Sequence, residues 1–403
     1  MHMDRFPPPG DEKESDRVKI TEIETIVVGS RMEGAGRLTD RNFTYVLVHT
    51  DEGITGLGEA TLEGHDNAVL GMIADLTQLV IGEDPRRVAY LTEVMMRQKF
   101  WGGGAIKGSA VAGIELALWD ILGRSVGQPV HQLVGGAVRD RIRYYLNGWA
   151  AGALEPSAIA EKAAGALEAG HRAFKFSLAV PSWSVHDREL VQQLDAVLDA
   201  IRGQIGDLPL MYDGHGRYDA ELAIALAEPL AAHHCMFFEE PVLPDRVRDM
   251  AKVARGSRLP IAAGERLVQK EQFIDFLQVD AFSIAQPDLA HCHGFGEGLK
   301  IAALAAGFGA GIAPHGPMSP VLTAISLHFD AVVPNFVIQE RLQMGAWCES
   351  LITTPLKMSE GFLSIPGGPG WGIELDLDVC RAHPPIDVAI PRMFRADGGV
   401  ADW

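Results

Sequence analysis

The chain has 403 residues, 47% hydrophobic and 22% charged, enough for a large core and for two or three domains. A formal net charge of −18 argues against nucleic acid or an anionic membrane as partner, because both select a basic face. An anionic substrate stays open if a bound cation supplies local positive charge.

Residues 1–17, with Pro7-Pro8-Pro9-Gly10 and a charged run from Asp11 to Arg17, read as a disordered tail without the apolar core of a signal peptide. No apolar run reaches the roughly 18 residues of a membrane span. The cysteines Cys235, Cys292, Cys348 and Cys380 form no CxxC pair, so neither a disulfide framework nor a zinc site is suggested. Buried, reduced thiols in a cytoplasmic protein are expected.

Residues 18–65 read as strands: Val18 to Val28, Phe43 to Thr50, then a turn at Asp51-Glu52-Gly53 into Ile54 to Ala60. A Gly-rich loop from Gly29 to Arg41, carrying Arg31 and Arg37, separates the first two and is long enough to be functional. From His65 to Leu133 the pattern is helical. Ser109 to Gly123 is nearly all apolar, which predicts a buried helix closed by Gly123. Gly102-Gly103-Gly104 with Gly108 follows an aromatic pair rather than a strand, and so reads as a turn or lid and not a phosphate loop.

After Gly135-Gly136 strands and helices alternate. The strands are Ile142 to Leu146, Ala173 to Leu178, Leu208 to Tyr212, Met236 to Phe238, Pro260 to Ala263, Ala281 to Ala285, Gly311 to Ala313 and Phe336 to Gln339. Leu190, Leu194, Val197, Leu198 and Ile201 form one helical stripe, and Gly170 occupies a C′ position. Eight such units predict an α/β fold, a (β/α)₈ barrel with its active site at the C-terminal strand ends. From Lys357 the chain is rich in Gly and Pro, lacks a helical period and is free to wander back. The expected organisation is a tail (1–17), an N-terminal α+β capping domain (18–140), the barrel (141–356) and a C-terminal segment (357–403) returning to the cap.

Three of the strands end in acids. Asp213, Glu239 and Glu265 recur at an interval of 26 residues, from 213 to 239 and from 239 to 265, about one βα unit. Each alone could cap the following helix. Equal spacing at three consecutive strand ends points instead to one volume holding three like charges, which a hard divalent cation such as Mg²⁺ would relieve. The next strand ends in Asp288 and the one after in His315; an acid beside a histidine can orient the ring and raise its basicity, so the pair is a candidate general base. A histidine satisfied by a backbone carbonyl is the plainer alternative. Glu340, on the last strand, reads either as a salt-bridged acid or as a neutral carboxylic acid able to donate to an oxyanion. His215, two residues past Asp213, lies at the same rim. His233-His234 and His291-Cys292-His293 fall near predicted helix ends and read as surface or capping residues, and His65 matters only if its domain covers the barrel mouth.

With these residues in place, the chain from about Val18 to Trp403 resembles the mandelate racemase subgroup of the enolase superfamily. Asp213-Gly214-His215-Gly216-Arg217, Phe238-Glu239-Glu240-Pro241-Val242, Ala263-Gly264-Glu265-Arg266, Gln286-Pro287-Asp288-Leu289 and Gly370-Trp371-Gly372-Ile373-Glu374 look like acid-sugar dehydratases of the D-galactonate dehydratase type. The resemblance implies a hydro-lyase in which Mg²⁺, on Asp213, Glu239 and Glu265, binds the carboxylate of an aldonic acid of galactonate, gluconate or mannonate kind. His315 would take the C2 proton, His215 would protonate the departing C3 hydroxyl, and Glu340 would support the enediolate on the way to a 2-keto-3-deoxy acid. A homo-oligomer is expected. One departure counts against the alternative of an epimerase or racemase: many relatives have Lys-x-Lys where this chain has Lys175-Phe176-Ser177, and serine cannot act as an opposite-face base. It leaves the role of Lys175 open. The stretch Val180 to Asp187 is longer than usual. A non-catalytic homologue that senses an acid sugar is a further alternative, disfavoured by the complete set of polar residues.

Overall fold

The computed structural model describes residues 18–31, 40–98, 100–178, 187–388 and 392–402. Strands β1 (Ile20–Ser30), β2 (Arg41–Thr50) and β3 (Thr55–Glu59) form an antiparallel meander, the turn into β3 being made by Gly53 at φ 77°. Helices α1 (Asp66–Val80), α2 (Val88–Arg97), α3 (Ala105–Ser125) and the short α4 (Val130–Leu133) follow. Val46 and Val48 of β2 share a core with Ile73 and Leu76 of α1 and Ile114 and Leu118 of α3. Contrary to expectation, α3 runs past Gly123 to Ser125. A Cβ at Gly123 would lie 2.7 Å from Gly370 Cα, so this glycine permits a close approach and does not end the helix.

Strands and helices then alternate: β4 (Arg141–Asn147), α5 (Pro156–Glu168), β5 (Phe174–Phe176), α6 (Arg188–Ile205), β6 (Leu210–Asp213), α7 (Ala220–Ala232), β7 (Phe238–Glu239), α8 (Val247–Gly256), β8 (Ile261–Ala263), α9 (Lys270–Leu277), β9 (Ile284–Ala285), α10 (Phe295–Gly307), β10 (Gly311–Ile312), α11 (Pro320–Val332) and β11 (Gln339–Leu342). Gly170, at φ 96°, stands just past α5. Each strand from β4 to β10 pairs in parallel with the next. Ile312 bridges Phe336, and Val337 N donates to Ile312 O at 2.7 Å. Because β11 pairs in parallel with β4, the ladder returns to the strand on which it began.

Tyr145, Ala173, Met211, Phe237, Ala262, Ile284, Ala313 and Ile338 form one buried cluster, a side chain from each strand or its flank. Since alternate residues of a strand point to opposite faces, the neighbours Phe174, Tyr212, Phe238 and Ala263 face outward, onto helices such as α6 with Leu194, Val197, Leu198 and Ile201.

The tail forms a hairpin, β12 (Met358–Ser359) and β13 (Phe362–Ser364), whose second strand lies antiparallel on β4. Trp371 is buried; its N donates to Asp120 Oδ1 at 2.9 Å and its Nε1 to Leu57 O at 3.0 Å. A helical turn absent from the sequence reading, α12 (Leu377–Ala382), owes its start to Asp376, which accepts from Asp378 N and Val379 N, and not to an apolar period. The four cysteines are free and buried. Among the described residues no helix is long and apolar enough to cross a membrane.

Candidate active site

Strand alternation builds the site. Two residues beyond each interior apolar side chain the same face continues one layer higher, and there stand Asn147, Lys175, Asp213, Glu239, Gln286, His315 and Glu340, after Tyr145, Ala173, Met211, Phe237, Ile284, Ala313 and Ile338. On β8 the equivalent residue is Gly264, with Glu265 one further. Gly264 has φ 135°, and a Cβ there would lie 2.6 Å from Phe273 Cε1. This backbone turn, open to glycine alone, swings Glu265 into the layer.

Asp213, Glu239 and Glu265 each offer an oxygen within 4.8 Å of the others. Burial, and then Asp213, raise Glu239 well above the usual carboxylate range; burial, and then Glu240, push Glu265 up to about 8. Burial also works against charge on Asp213, but His215 and Lys175 outweigh it and hold that group low. Glu239 Oε2 is buried with no hydrogen-bond partner. Three hard oxygens around an orphaned carboxylate atom fit a small divalent cation.

Lys175, buried, places Nζ 2.6 Å from Glu239 Oε1, 2.9 Å from Glu340 Oε1 and 3.2 Å from Asp213 Oδ2. The sequence left its role open; the structure makes it the cation that binds this layer together. Glu340 also accepts from Asn147 Nδ2 at 2.8 Å and Gly316 N at 2.9 Å. Burial opposes its charge, but Lys175 and His315 hold it below the usual range, so it is the salt-bridged acid of the two alternatives and not a neutral donor.

His315 donates Nδ1–H to Asp288 Oδ2 at 2.7 Å, and its Nε2 lies 3.3 Å from Glu265 Oε2. Burial lowers its proton affinity, but Glu265, Glu340 and Asp288 together raise it well above the ordinary value. His215, in the left-handed region at φ 49°, sits at the other end of the acids with Nε2 3.5 Å from Asp213 Oδ2. Its Nδ1 is 3.2 Å from Ser177 Oγ, which accepts from Arg217 Nη1 at 3.0 Å. That leaves the hydroxyl proton for Nδ1 and sets Nε2–H toward the acids. Burial, the largest influence, lowers His215 to about 4.

One sequence reading needs correction. His291 and His293 are buried inside the turn after β9 and do not lie on the surface. A histidine within the apolar run Leu289-Ala290-His291-Cys292 was the available signal. Of the loop Gly29 to Arg41, residues 32–39, including Arg37, lie outside the described residues, as does 180–186 of the second long stretch. At the loop's end, Arg41 Nη1 donates to Pro317 O at 2.6 Å, two residues past His315. His65 lies on the first domain, its Nδ1 2.8 Å from Gly64 O.

A parallel strand ladder carrying acids at its C-terminal ends, beside an α+β domain, defines the class, and comparison with known proteins gives the family. Residues 158–379 match the family described as enolase C-terminal domain-like, and 23–135 the mandelate racemase / muconate lactonizing enzyme N-terminal domain. The chain belongs to this family and is an enzyme of the hydro-lyase class. It is 35% identical over 396 residues to the D-galactonate dehydratase of Verminephrobacter eiseniae, covering 96% of this chain and 100% of that one. Over 370 residues, 89% of this chain and 96% of the other, it is 36% identical to the D-galactonate dehydratase of Ralstonia pickettii. Among solved structures, an enolase from Agrobacterium radiobacter with Na and L-malate bound superposes with a TM-score of 0.85 at 28% identity, covering 95% of this chain and 99% of that one.

Proposed function

We propose that the chain is a Mg²⁺-dependent dehydratase of a six-carbon aldonic acid, built on a (β/α)₈ barrel under an α+β cap. The returning ladder and the interior shared by all eight strand segments support the barrel; the dehydratases it resembles support the substrate class. One observation carries the chemistry: two imidazoles flank the acid trio with different wiring, His315 backed by a carboxylate and His215 by a hydroxyl. Asp213, Glu239 and Glu265 would hold Mg²⁺, which when bound neutralises charge developing on the substrate carboxylate. His315, made basic by Glu265, Glu340 and Asp288 and oriented by the last, removes the C2 proton. Lys175, held among Glu239, Glu340 and Asp213, favours the ionised forms of Asp213 and Glu340 and works against the burial that raises Glu239. His215 presents Nε2–H to the departing C3 hydroxyl.

The low proton affinity of His215 favours a second assignment of the acid, in which His315 returns the C2 proton to the hydroxyl on its own face. The test is a screen of aldonates and aldarates with Mg²⁺ for 2-keto-3-deoxy product. An aldonate should be dehydrated with Mg²⁺ and not in excess chelator. Turnover undiminished by chelator, or epimerised product alone, would refute the proposal.

A further inference from the structure

Asp288 is approached by a second histidine. His315 Nδ1 meets Asp288 Oδ2 at 2.7 Å, and His291 Nε2 lies 3.6 Å from the same oxygen, while Oδ1 accepts from Ala290 N at 2.7 Å. On the far edge of the His291 ring, Nδ1 is 2.9 Å from Ser109 Oγ on α3, in the other domain. Asp288, His291 and Ser109 are all buried. The helix is pressed onto this turn: a Cβ at Gly108 would lie 2.3 Å from His291 O.

The ring has two neutral tautomers. With its lone pair on Nε2 it would face a carboxylate and be repelled; with the proton on Nε2 it is attracted. The second requires Nδ1 to accept, and the Ser109 hydroxyl can donate to it. At 3.6 Å the N–H is too far to displace His315 as the main donor to Oδ2, so it acts on the charge and orientation of Asp288.

We infer that His291, its tautomer set by Ser109 of α3, is a positioning residue that keeps Asp288 ionised and turned toward His315. The inference rests on His315 being the base, and it gives the first domain a role in preparing that base. A contact serving only to hold the domains together would need neither ring nitrogen oriented this way.

The test uses the full chain with His291→Phe, His291→Gln and Ser109→Ala. Glutamine keeps a donor near the Nε2 position; phenylalanine does not. The first readout is the low-field NMR proton of the His315–Asp288 hydrogen bond, identified by its loss in His315→Asn and recorded without substrate. It should move or broaden in His291→Phe and Ser109→Ala and return in His291→Gln. The second is aldonate dehydration, where kcat should fall about tenfold to a hundredfold in the first two variants, as for other residues that orient a reacting group, with KM nearly unchanged and recovery in His291→Gln. An unmoved proton, or a moved proton with full kcat, overturns the inference, whatever happens to the melting temperature. Ser109→Ala keeps the test open should His291→Phe fail to fold. If no acid sugar is turned over, the proposed function fails by itself and the proton measurement alone decides.

Discussion

At the scale of single residues, the two histidines should be separable. His315→Asn should stop both dehydration and exchange of the C2 hydrogen with deuterated water, because nothing then removes the proton. His215→Asn should keep exchange but lose about 10² to 10⁴ in dehydration rate, the usual worth of a positioned acid. Dehydration at the parent rate would transfer the acid's role to His315. Lys175 invites a different measurement. Its Nζ compensates Glu239, Glu340 and Asp213 in a buried layer. Lys175→Met leaves those charges unmatched, which costs about 3–5 kcal/mol when one partner of a buried ion pair is removed. Added Mg²⁺ should recover part of the loss, so the rise in melting temperature on adding Mg²⁺ should be larger for Lys175→Met than for the parent; an equal rise would contradict this account. Equal spacing made Asp213, Glu239 and Glu265 legible as candidates, and strand-end position did the same for Asp288 and His315, because a strand end is a local pattern. Lys175 and His291 were harder, since their partners, Glu239 and Glu340 for one and Ser109 for the other, are distant in sequence.

At the scale of elements, β8 shows where regular alternation had to be broken. Its interior residue is Ala262, yet the ligand candidate is Glu265, three residues on, and the backbone turns at Gly264 to bring it round. An equal interval of 26 residues in the sequence therefore hides unequal local geometry. Gly264→Ala should force its Cβ against Phe273 and out of a region that L residues avoid, a cost of about 1–3 kcal/mol. More usefully, it should weaken Mg²⁺ binding measured by calorimetry although all three carboxylates remain. Parent affinity in that variant would mean that β8 tolerates the side chain and that Glu265 does not depend on the turn. The helix α3 teaches the converse lesson: its glycines mark close approaches, Gly123 to Gly370 and Gly108 to His291, and only the structure reveals what approaches.

At the scale of the whole molecule, acids of the first domain serve the helices that follow the parallel strands. Glu59 accepts from Ser319 N and Leu322 N at the start of α11, and Glu115 from Phe295 N and Gly296 N at the start of α10, meeting backbone donors that a helix leaves unpaired. A third tie joins three parts of the chain. His328 of α11 donates Nε2–H to Trp371 O in the tail at 3.0 Å and accepts at Nδ1 from His131 of α4 at 2.9 Å. Burial lowers His328 to about 3, and burial lowers His131 as well, so folding favours the neutral form of both. An unfolded histidine titrates near 6.5, so between about 6.5 and about 3 the unfolded chain binds a proton that the folded one refuses, and stability falls as pH falls. For His328 alone this amounts to about 2–3 kcal/mol by a pH of about 4.5. His328→Gln, which can still accept and donate but does not titrate, should be somewhat less stable than the parent near neutrality because the ring packing is lost. In denaturant melts compared at the two pH values, that gap should close or reverse at the acid one. A gap that stays constant would mean that the parent ring takes up its proton while folded, with His131 or Trp371 O moving to accommodate it.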